Sequence, residues 1–397
     1  MEKGCLTSAF ERRGWIKSTD SGEDWNVYWA TVGTVKKIFN PDTGYRLTDR
    51  QILAHFPNHY ELTRKDLMVK NIKRYAKELA KEGLSVPNFV PTTYMLPADY
   101  SLFVEEFRKR PSMTWIMKPT SKARGVGIFM VNKLSQLKKW ANGKNFSNAT
   151  ENYVISRYID NPLLIGGKKF DLRLYVLVTS FRPLRVYMYR EGFCRFCGTR
   201  YSNEFSQMDD LFIHLTNVSI QTKGEDYNEK HGNKWSVRNF RLYLEGQFGQ
   251  ERASQVFADI ERIVLLSLKS VQSVVINDKH CFECYGYDIL IDDNLKAWLV
   301  EVNASPSLSA TTHSDRVMKH KLITDIFNVM VPTDDHIDAK ERAMDSANPA
   351  SRIGQFELMY DEAGSGRTRG LRGDRDTDGG GLERNDQVEL RGNAKWR

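Results

Sequence analysis

Two carboxylates and a carboxamide stand close together in the segment 286–306, which reads GYDILIDDNLKAWLVEVNASP. Residues 292–294, Asp-Asp-Asn, are a turn signal between two runs of strand-forming residues. Glu301 and Asn303 are two apart and share one face of a strand, and Asp288 joins them if the turn has an even number of residues. Three oxygen ligands on one face suit Mg²⁺. The same pattern also fits a surface hairpin in which polar and apolar residues alternate.

The segment 118–127, KPTSKARGVG, carries a different kind of chemistry. A glycine-bearing loop between two strands lets backbone N–H groups approach phosphate oxygens, and Lys118 adds a positive charge. The chain has no Walker A loop, no GxGxxG fingerprint and no kinase HRD and DFG pair. A GxG hairpin by itself also fits an ordinary turn.

Charged residues alternate with apolar ones in the segment GGKKFDLRLY. Lys169, Asp171 and Arg173 line one face of the predicted strand, and Phe170 and Leu172 line the other. Basic residues beside a carboxylate suit recognition of a phosphate or carboxylate, and a cross-strand salt-bridge ladder is the alternative. Further polar residues in aromatic surroundings are Arg195, His214, Thr216, Asn217 and Lys234.

Hydrophobic periodicity predicts the elements that position these residues. Met68, Ile72, Tyr75 and Leu79 form one stripe and predict a helix over 64–81. Its opposite face is basic, either as a solvated surface or as a landing surface for an acidic partner. Further helices are predicted over 97–109, 237–248 and 252–276, and strands over 114–118, 128–131, 153–158, 172–179, 184–189, 287–291 and 297–302. Antiparallel-looking hairpins mixed with helices indicate an α+β core rather than a doubly wound parallel sheet.

Composition limits the class of protein. An apolar fraction of 41% supports a folded core, and the net charge of +8 favours an anionic partner such as nucleic acid, an acidic polypeptide or a phosphorylated ligand. The N-terminus lacks the apolar stretch of a signal peptide, and the strongest apolar run, residues 263–266, is too short for a membrane span. From about residue 361 the chain is dominated by Gly, Arg and Asp, which predicts a disordered tail.

Five cysteines without a secretory signal indicate a reducing compartment such as the cytosol. Two pairs, Cys194/Cys197 and Cys281/Cys284, would together supply a four-thiolate zinc site. The long separation between the pairs and their strand-like surroundings instead favour buried free thiols.

Taken in this order, the motifs resemble the tubulin–tyrosine-ligase-like family, and within it the polyglutamylase branch. The resemblance runs from about residue 15 to 308. It is carried by FPNHYELTRKDLMVKNIKRY, WIMKP, GGKKFDLRLYVLV, HLTNV, HCFECYGYDILID and WLVEVNASPSL. It implies an ATP-grasp core, with an N-terminal lobe over 1–90, a central lobe over 91–200, a C-terminal lobe over 201–345 that carries the metal site, and a tail over 346–397.

The resemblance also implies a reaction, in which ATP phosphorylates a glutamate side chain of a tubulin C-terminal tail and free L-glutamate attacks the acyl phosphate. Lys118, Lys169, Phe170 and Asp171 are then expected to bind ATP, as are Arg124 and Gly125 in the covering loop, Ser156, Arg157, Tyr158 and Ile159 in the adenine hinge, and Thr216 and Asn217. Asp288, Glu301 and Asn303 would bind Mg²⁺. Arg195 and Lys234 would clamp L-glutamate, and Arg173, Glu301 and Lys70 would act in catalysis.

Accessory subunits are a further implication, because catalytic subunits of multi-subunit polyglutamylases belong to this branch. The implied location is the cytoplasm and cytoskeleton, including the axoneme of a cilium or flagellum, or the basal body. Neither a membrane nor a nucleic acid is an expected partner.

Arg124 departs from the expected pattern, since Gln is expected before Gly125 in the nearest relatives. Family members with Arg there tend to start glutamate branches, and those with Gln tend to lengthen them. The hypothesis is that Arg124 biases this chain toward adding the first glutamate.

Two other functions fit parts of the pattern. A non-catalytic microtubule adaptor built on an inactive ligase predicts loss of Lys118, Glu301 or Asn303, and all three are present. A ligase adding glycine or tyrosine would differ in the amino-acid pocket, where Arg195 and Lys234 suit the extra carboxylate of glutamate. A nucleic-acid-binding protein would explain the basic charge but not the carboxylates, which would repel phosphates.

Overall fold

The computed structural model describes residues 4–18, 24–122, 124–142, 152–228, 230, 232–333, 338–345 and 349–364 of the 397-residue chain. The predicted disordered tail lies outside these described residues from 365 onward. No helix within the described ranges combines the length and the apolar character that crossing a membrane requires.

The strands form two sheets. In chain order they are β1 Val27–Tyr28, β2 Ile52–Ala54, β3 Thr93–Leu96, β4 Trp115–Pro119, β5 Phe129–Val131, β6 Tyr153–Arg157, β7 Leu164–Ile165, β8 Lys168–Phe181, β9 Leu184–Phe196, β10 Lys234–Ser236, β11 Cys281–Ile291, β12 Ala297–Asn303, β13 Arg352–Ile353 and β14 Phe356–Asp361. The large sheet has the order β1-β2-β11-β8-β9-β14-β13, and β12, β10 and β7 pair with β11, β9 and β8. The small sheet has the order β3-β6-β4-β5.

Helices cover both faces of the large sheet. In chain order the helices are α1 Cys5–Arg12, α2 Val32–Ile38, α3 Tyr60–Thr63, α4 Lys65–Lys81, α5 Tyr100–Lys109, α6 Leu134–Asn142, α7 Leu211–His214, α8 Val218–Gln221, α9 Val237–Phe248, α10 Gln250–Gln272, α11 His313–Met330 and α12 Ala339–Asp345. Short 3₁₀ turns lie at Pro41–Thr43 and Phe205–Gln207. Helices α4, α9 and α10 share one hydrophobic core with the sheet, and α1 and α11 share the other.

Alternation along β8 assigns each residue to a face of the large sheet. Leu172 and Leu174 lie in the core beneath α9 and α10, and Tyr175 and Leu177 lie in the core beneath α11. Since both faces are covered, the middle of the strand is apolar almost throughout. On the face of Tyr175 and Leu177 the next residues toward the start of β8 are charged, and there the sheet meets a cleft instead of a helix.

The predicted α+β class is confirmed, and most predicted elements lie where they were expected. Helix α9 has the predicted bounds, and α4 buries Met68, Ile72 and Leu79 as its stripe predicts. Strands β8 and β9 are longer than predicted, because the start of β8 and the end of β9, which carry Asp171 and Arg195, continue to pair with each other. In the segment EDWNVYW only the two residues of β1 form a strand.

Two predicted segment boundaries differ from the sheet topology. The central lobe predicted over 91–200 includes β8 and β9, which pair with β11 and β14 of the large sheet rather than with the small sheet. The tail predicted from 346 includes β13 and β14, a hairpin whose second strand pairs with β9. A composition change at 361 marks the end of that hairpin but could not reveal its partner.

All five cysteines are free and buried, as the thiol interpretation predicts. Cys194 and Cys281 lie in one core of the large sheet and Cys284 lies in the other, so the two pairs do not converge. Burial raises the pKa of Cys197 to about 12, which keeps that thiol protonated.

Candidate active site

A cleft that is open to solvent lies between the small sheet and the charged end of the large sheet. Helix α4 closes one side of it. Most of the predicted site residues line it: Lys118, Arg124, Gly125, Ser156, Arg157, Tyr158, Ile159, Lys169, Asp171, Thr216, Asn217, Asp288 and Glu301. These residues come from distant parts of the sequence, and the fold brings them to one small-molecule-sized site.

The hairpin β11–β12 places Asp288 directly opposite Glu301. Its turn, 292–296, has five residues rather than an even number, because Ile291 pairs with Ala297. A β-bulge between Asp288 and Ile289 then shifts the register by one residue. Ile289 pairs with Leu299, but the preceding residue, Asp288, pairs with Glu301 instead of Val300. The shared face was therefore predicted correctly from a wrong turn length.

Three buried charges and one half-buried charge form what we call the ion-paired wall, made of Asp171, Arg195 and Asp288 together with Arg173. Arg173 donates to both oxygens of Asp288 at 2.6 and 3.0 Å, and Arg195 donates to Asp288 at 2.8 Å. Arg195 also donates to both oxygens of Asp171, at 2.8 and 2.5 Å. Burial by itself would raise the pKa of Asp288, but the two guanidinium groups hold it well below its usual value.

Glu301 and Asn303 stand beside this wall and are less constrained. Glu301 pairs with Lys65 at 3.2 Å, and the Asn303 amide approaches Glu301 Oε1 at 3.3 Å. Rotating that amide by half a turn would present its oxygen at the same place. The described residues contain no cluster of three or more His, Cys, Asp or Glu side chains that could hold a metal ion. Any cation site here would therefore combine a carboxamide oxygen with at most two carboxylates.

Two lysines bring positive charge into the cleft from opposite sheets. Lys118 on β4 and Lys169 on β8 each have a pKa lowered to about 8 by burial. Lys169 donates to the Tyr158 hydroxyl at 2.9 Å and to the His214 carbonyl at 3.0 Å. The Tyr158 hydroxyl in turn bonds to Nδ1 of His214 at 2.8 Å. The Tyr158 side chain thus supports Lys169 instead of extending freely into the cleft.

The segment 124–127, which we call the glycine loop, has an unusual backbone. Arg124, Gly125 and Gly127 have positive φ angles of 61°, 77° and 76°. A Cβ on Gly125 would lie 2.4 Å from Ile220 Cδ1 of α8. The close packing of α8 and the positive φ angle together favour glycine at this position over any residue with a side chain. The Arg124 side chain is exposed, and its carbonyl accepts a bond from Ser219 at 3.2 Å.

A second cationic group lies behind the ion-paired wall. Lys234 pairs across strands with Arg195 and donates to Asp315 at 2.8 Å. Asp315 is fully buried and also pairs with Lys319 at 2.8 Å. Lys319 was not among the predicted site residues. Its spacing of four from Asp315 on α11 was a detectable signal, but only the fold brings that pair to Lys234.

Several predicted residues lie away from the cleft lining. Phe170 is in the hydrophobic core, and Lys70 is exposed on α4. The lysine of α4 that does reach the cleft is Lys65, which pairs with Glu301. Lys65 precedes Met68 by three residues, so it extends the buried stripe by one turn, and this pattern could have identified it.

Comparison with known proteins identifies relatives over most of the chain. A family model described as the tubulin-tyrosine ligase family matches residues 45–339. A Tetrahymena thermophila protein named probable alpha-tubulin polyglutamylase Ttll1 is 52% identical over 379 residues, covering 91% of this chain and 92% of that protein. A Bos taurus protein named probable tubulin polyglutamylase TTLL9 is 42% identical, covering 90% and 82%. Human tubulin polyglutamylase TTLL5 is 37% identical, covering 82% of this chain but 25% of that longer protein.

Proposed function

This chain belongs to the tubulin-tyrosine ligase family, and on that premise we propose that it is an ATP-dependent tubulin polyglutamylase. The substrates would be ATP, free L-glutamate and the glutamate side chains of tubulin C-terminal tails. The relatives named as tubulin polyglutamylases support this choice because they match along nearly the whole chain.

The proposed reaction has two steps. A carboxylate oxygen of the acceptor glutamate takes the γ-phosphoryl group of ATP, which releases ADP and leaves an acyl phosphate. The amine of free L-glutamate then attacks the acyl carbon, loses a proton and displaces phosphate, which forms an isopeptide bond. Both steps need positive charge near the phosphoryl oxygens and exclusion of water from the acyl phosphate.

The observation that carries the proposal is the position of two lysines and the Glu301 carboxylate in one cleft, with the Asn303 carboxamide beside Glu301. Lys118 and Lys169 are suited to phosphate oxygens, and the backbone N–H groups of the glycine loop could cover them. Glu301 lines the same cleft near the end of β12, and the Asn303 amide lies 3.3 Å from Glu301 Oε1. A nucleotide with its phosphates between these groups would have its γ-phosphate close to the ion-paired wall.

The side chains at the end of the hairpin fit Mg²⁺, which prefers oxygen ligands and keeps some of its waters. Glu301 and Asn303 would hold it, together with Asp288, whose two oxygens already accept bonds from Arg173 and Arg195. When bound, Mg²⁺ supplies Lewis acidity toward phosphate oxygens. The ion pair between Lys65 and Glu301 would break when Glu301 binds the cation, and Lys65 would stay near the phosphates.

Selectivity for glutamate would come from the cations behind the wall. Lys234 and Lys319 both pair with Asp315, and this single buried carboxylate does not neutralise both. Arg195 neighbours Lys234 across the strands, but its guanidinium already bonds to Asp171 and Asp288. An amino acid with two carboxylates gains more from such a site than glycine or tyrosine does. Arg173, between this group and the cleft, would stabilise the negative charge of the acyl phosphate. Lys70 remains a weaker candidate for that task because its side chain is exposed.

Association with the cytoskeleton follows from tubulin as the proposed substrate. We further propose accessory subunits and a location at the axoneme or basal body. The exposed basic face of α4, with Lys70 and Lys77, would attract acidic tubulin tails.

Mass spectrometry of tubulin tails tests the proposed function. Tubulin is incubated with the chain, ATP and Mg²⁺, and with glutamate, glycine or tyrosine in separate reactions. Glutamate alone is expected to add mass to the tails. Glu301→Gln is expected to reduce that addition by about 10³-fold or more, since it removes a charge from the phosphoryl-transfer site.

Glu105→Gln is the matched control, because Glu105 is an exposed residue of α5 far from the cleft and should leave the rate unchanged. Addition of glycine or tyrosine instead of glutamate would reassign the substrate. No addition of any amino acid, even with candidate accessory subunits present, would contradict the proposal and favour the non-catalytic adaptor.

A further inference from the structure

A buried polar group lies outside the cleft, at the point where strand β11 changes partner. The first residues of β11 pair with β2, and residues 286–291 pair with β12. His55 follows β2 directly, and Ser305 follows β12 by two residues. Glu283 lies on β11 between the two paired regions. The three side chains therefore meet where the N-terminal segment joins the end of the catalytic hairpin.

The contacts in this group connect the two segments through a fully buried carboxylate. His55 Nδ1 lies 2.5 Å from Glu283 Oε1, and the Phe56 backbone N–H donates to Glu283 Oε2 at 3.0 Å. The other ring nitrogen of His55, Nε2, lies 3.1 Å from the Ser305 hydroxyl. Glu283 has an exposed fraction of 0% and His55 of 4%. Such a carboxylate is stable in the fold only while its hydrogen-bond partners stay in place.

The backbone of His55 is itself under constraint. Its φ angle is +80°, which is uncommon for a residue with a side chain and costs on the order of 1–3 kcal/mol. Its backbone N–H donates to the Phe282 carbonyl at 2.8 Å, so the chain remains attached to β11 while the side chain turns back toward Glu283. A glycine would adopt this backbone without strain, but it could not make the contacts of the His55 side chain with Glu283 and Ser305.

Ser305 is two residues from Asn303, and the loop between β12 and α11 is held from a second side. A Cβ on Gly286 would lie 2.9 Å from Pro306 Cβ and 3.3 Å from Arg173 Cδ. Pro306 and Arg173 therefore both pack closely against Gly286 of β11. With His55 on one side and Gly286 on the other, the loop has little freedom to move the end of β12.

We propose that His55, anchored by Glu283, is a positioning residue that fixes the end of β12 through Ser305 and so sets the oxygen atoms of Glu301 and Asn303 for a divalent cation. The inference rests on the proposed function in one respect, which is the use of Glu301 and Asn303 as metal ligands. The inference gives His55 a role in the site although His55 does not line the cleft.

The order Ser305, His55, Glu283 also matches a nucleophile, its base and the group that orients the base. Burial would lower the pKa of His55, but the charge of Glu283 and their hydrogen bond raise it above its usual value. This direction favours the protonated imidazole, which donates to Ser305 instead of removing its proton. The group therefore suits support of a loop better than activation of a serine.

Binding of Mn²⁺ in the presence of ATP tests the proposal without requiring glutamate transfer. Free Mn²⁺ is measured by its EPR signal for the wild-type chain and for His55→Gln and Ser305→Ala. Both variants are expected to weaken Mn²⁺ binding by about 10- to 100-fold, the usual effect of removing a group that orients metal ligands. Ser305→Ala is informative even if His55→Gln impairs folding, because Ser305 is exposed.

The matched controls are His280→Gln and Ser307→Ala. His280 is a buried histidine that directly precedes β11 and is paired with Asp278 at 2.7 Å, and Ser307 is an exposed serine of the same loop as Ser305. Both should keep wild-type Mn²⁺ affinity within about twofold. Unchanged affinity in both test variants, equal loss in the controls, or no Mn²⁺ binding by the wild-type chain with ATP would each overturn the proposal. If the wild-type chain binds Mn²⁺ with ATP but transfers no glutamate, the proposed function fails while the positioning role is still measured.

Discussion

The ion-paired wall and the glycine loop face each other across the cleft and are built in opposite ways. In the wall, Asp171, Arg195 and Asp288 are buried, Arg173 is half-buried, and the four are bonded to one another at 2.5 to 3.0 Å. The glycine loop exposes Arg124 and Val126, and among the described residues it is held to α8 by one side-chain bond and a close contact at Gly125.

This difference separates two tasks. A buried network of opposite charges keeps its geometry whether or not a ligand is present, which suits a place where negative charge develops during reaction. A loop with exposed side chains and left-handed backbone has few contacts to lose, which suits a cover that meets the phosphates after they enter. Lys169 is buried and Lys118 is half-buried in the same cleft, and within the described part of the chain neither is ion-paired with a carboxylate.

The largest effect is expected from breaking the wall. Arg195→Met removes the guanidinium that bonds to Asp171 and Asp288, so Asp171 is left buried without it. Removing one member of a buried charge network costs about 3–5 kcal/mol. The free energy of unfolding, measured by urea titration, should fall by that amount.

Arg110→Met is the matched control, because Arg110 pairs with Glu106 on the surface of α5 and should have almost no effect on unfolding. If the free energy of unfolding changes by the same amount in both variants, the buried charge network does not stabilise the wall as argued.

An intermediate effect is expected from pH, acting on the lysines between the two regions. With pKa values of about 8, Lys118 and Lys169 are mostly protonated at pH 7 and mostly neutral at pH 9. Since phosphates favour the protonated form, affinity for ATP should fall by about 10- to 100-fold over that interval. Calorimetric titration at several pH values measures this.

Lys118→Arg separates the contributions of the two lysines, because arginine keeps its charge at pH 9. In this variant the logarithm of the ATP affinity should fall by about half as much between pH 7 and pH 9 as in the wild-type chain. An affinity that stays constant between pH 7 and pH 9 in the wild-type chain would show that these lysines do not bind the phosphates.

The smallest effect on the folded chain is expected at the glycine loop. Arg124→Gln changes an exposed side chain, so unfolding should be unaffected and ATP affinity should stay within about threefold. The ratio of first-glutamate addition to chain lengthening, counted by mass spectrometry of tubulin tails, should nevertheless fall severalfold. A variant with an unchanged ratio would refute the role proposed for Arg124 and leave the loop as a phosphate cover only.

Local patterns predicted much of this molecule. The stripe of Met68, Ile72 and Leu79 identified α4, and the alternation of Lys169, Asp171 and Arg173 identified the charged face of β8. The motifs that carried the family resemblance lie on strands of the large sheet and on the cleft, and the match over residues 45–339 confirms the family. These features depend on neighbours within a few residues, so one sequence is enough to recognise them.

Other features depended on contacts between distant segments. The bulge opposite Asp288, the pairing of Lys65 with Glu301 and the shared use of Asp315 by Lys234 and Lys319 have no strong local signature. The hairpin of β13 and β14 was assigned to the tail for the same reason, since its partner β9 is more than 150 residues earlier in the chain.

By itself, then, the sequence determined the family, the α+β class and the residue types that carry chemistry, because periodicity and motif order are properties of the linear chain. Only the tertiary structure decided which charges meet. Asp288 is bonded to two arginines, Glu301 is bonded to a lysine of the N-terminal segment, and His55 reaches the loop beyond Asn303. The physical reason is that a buried charge is stable only beside its partner, and the packing of whole sheets and helices selects that partner.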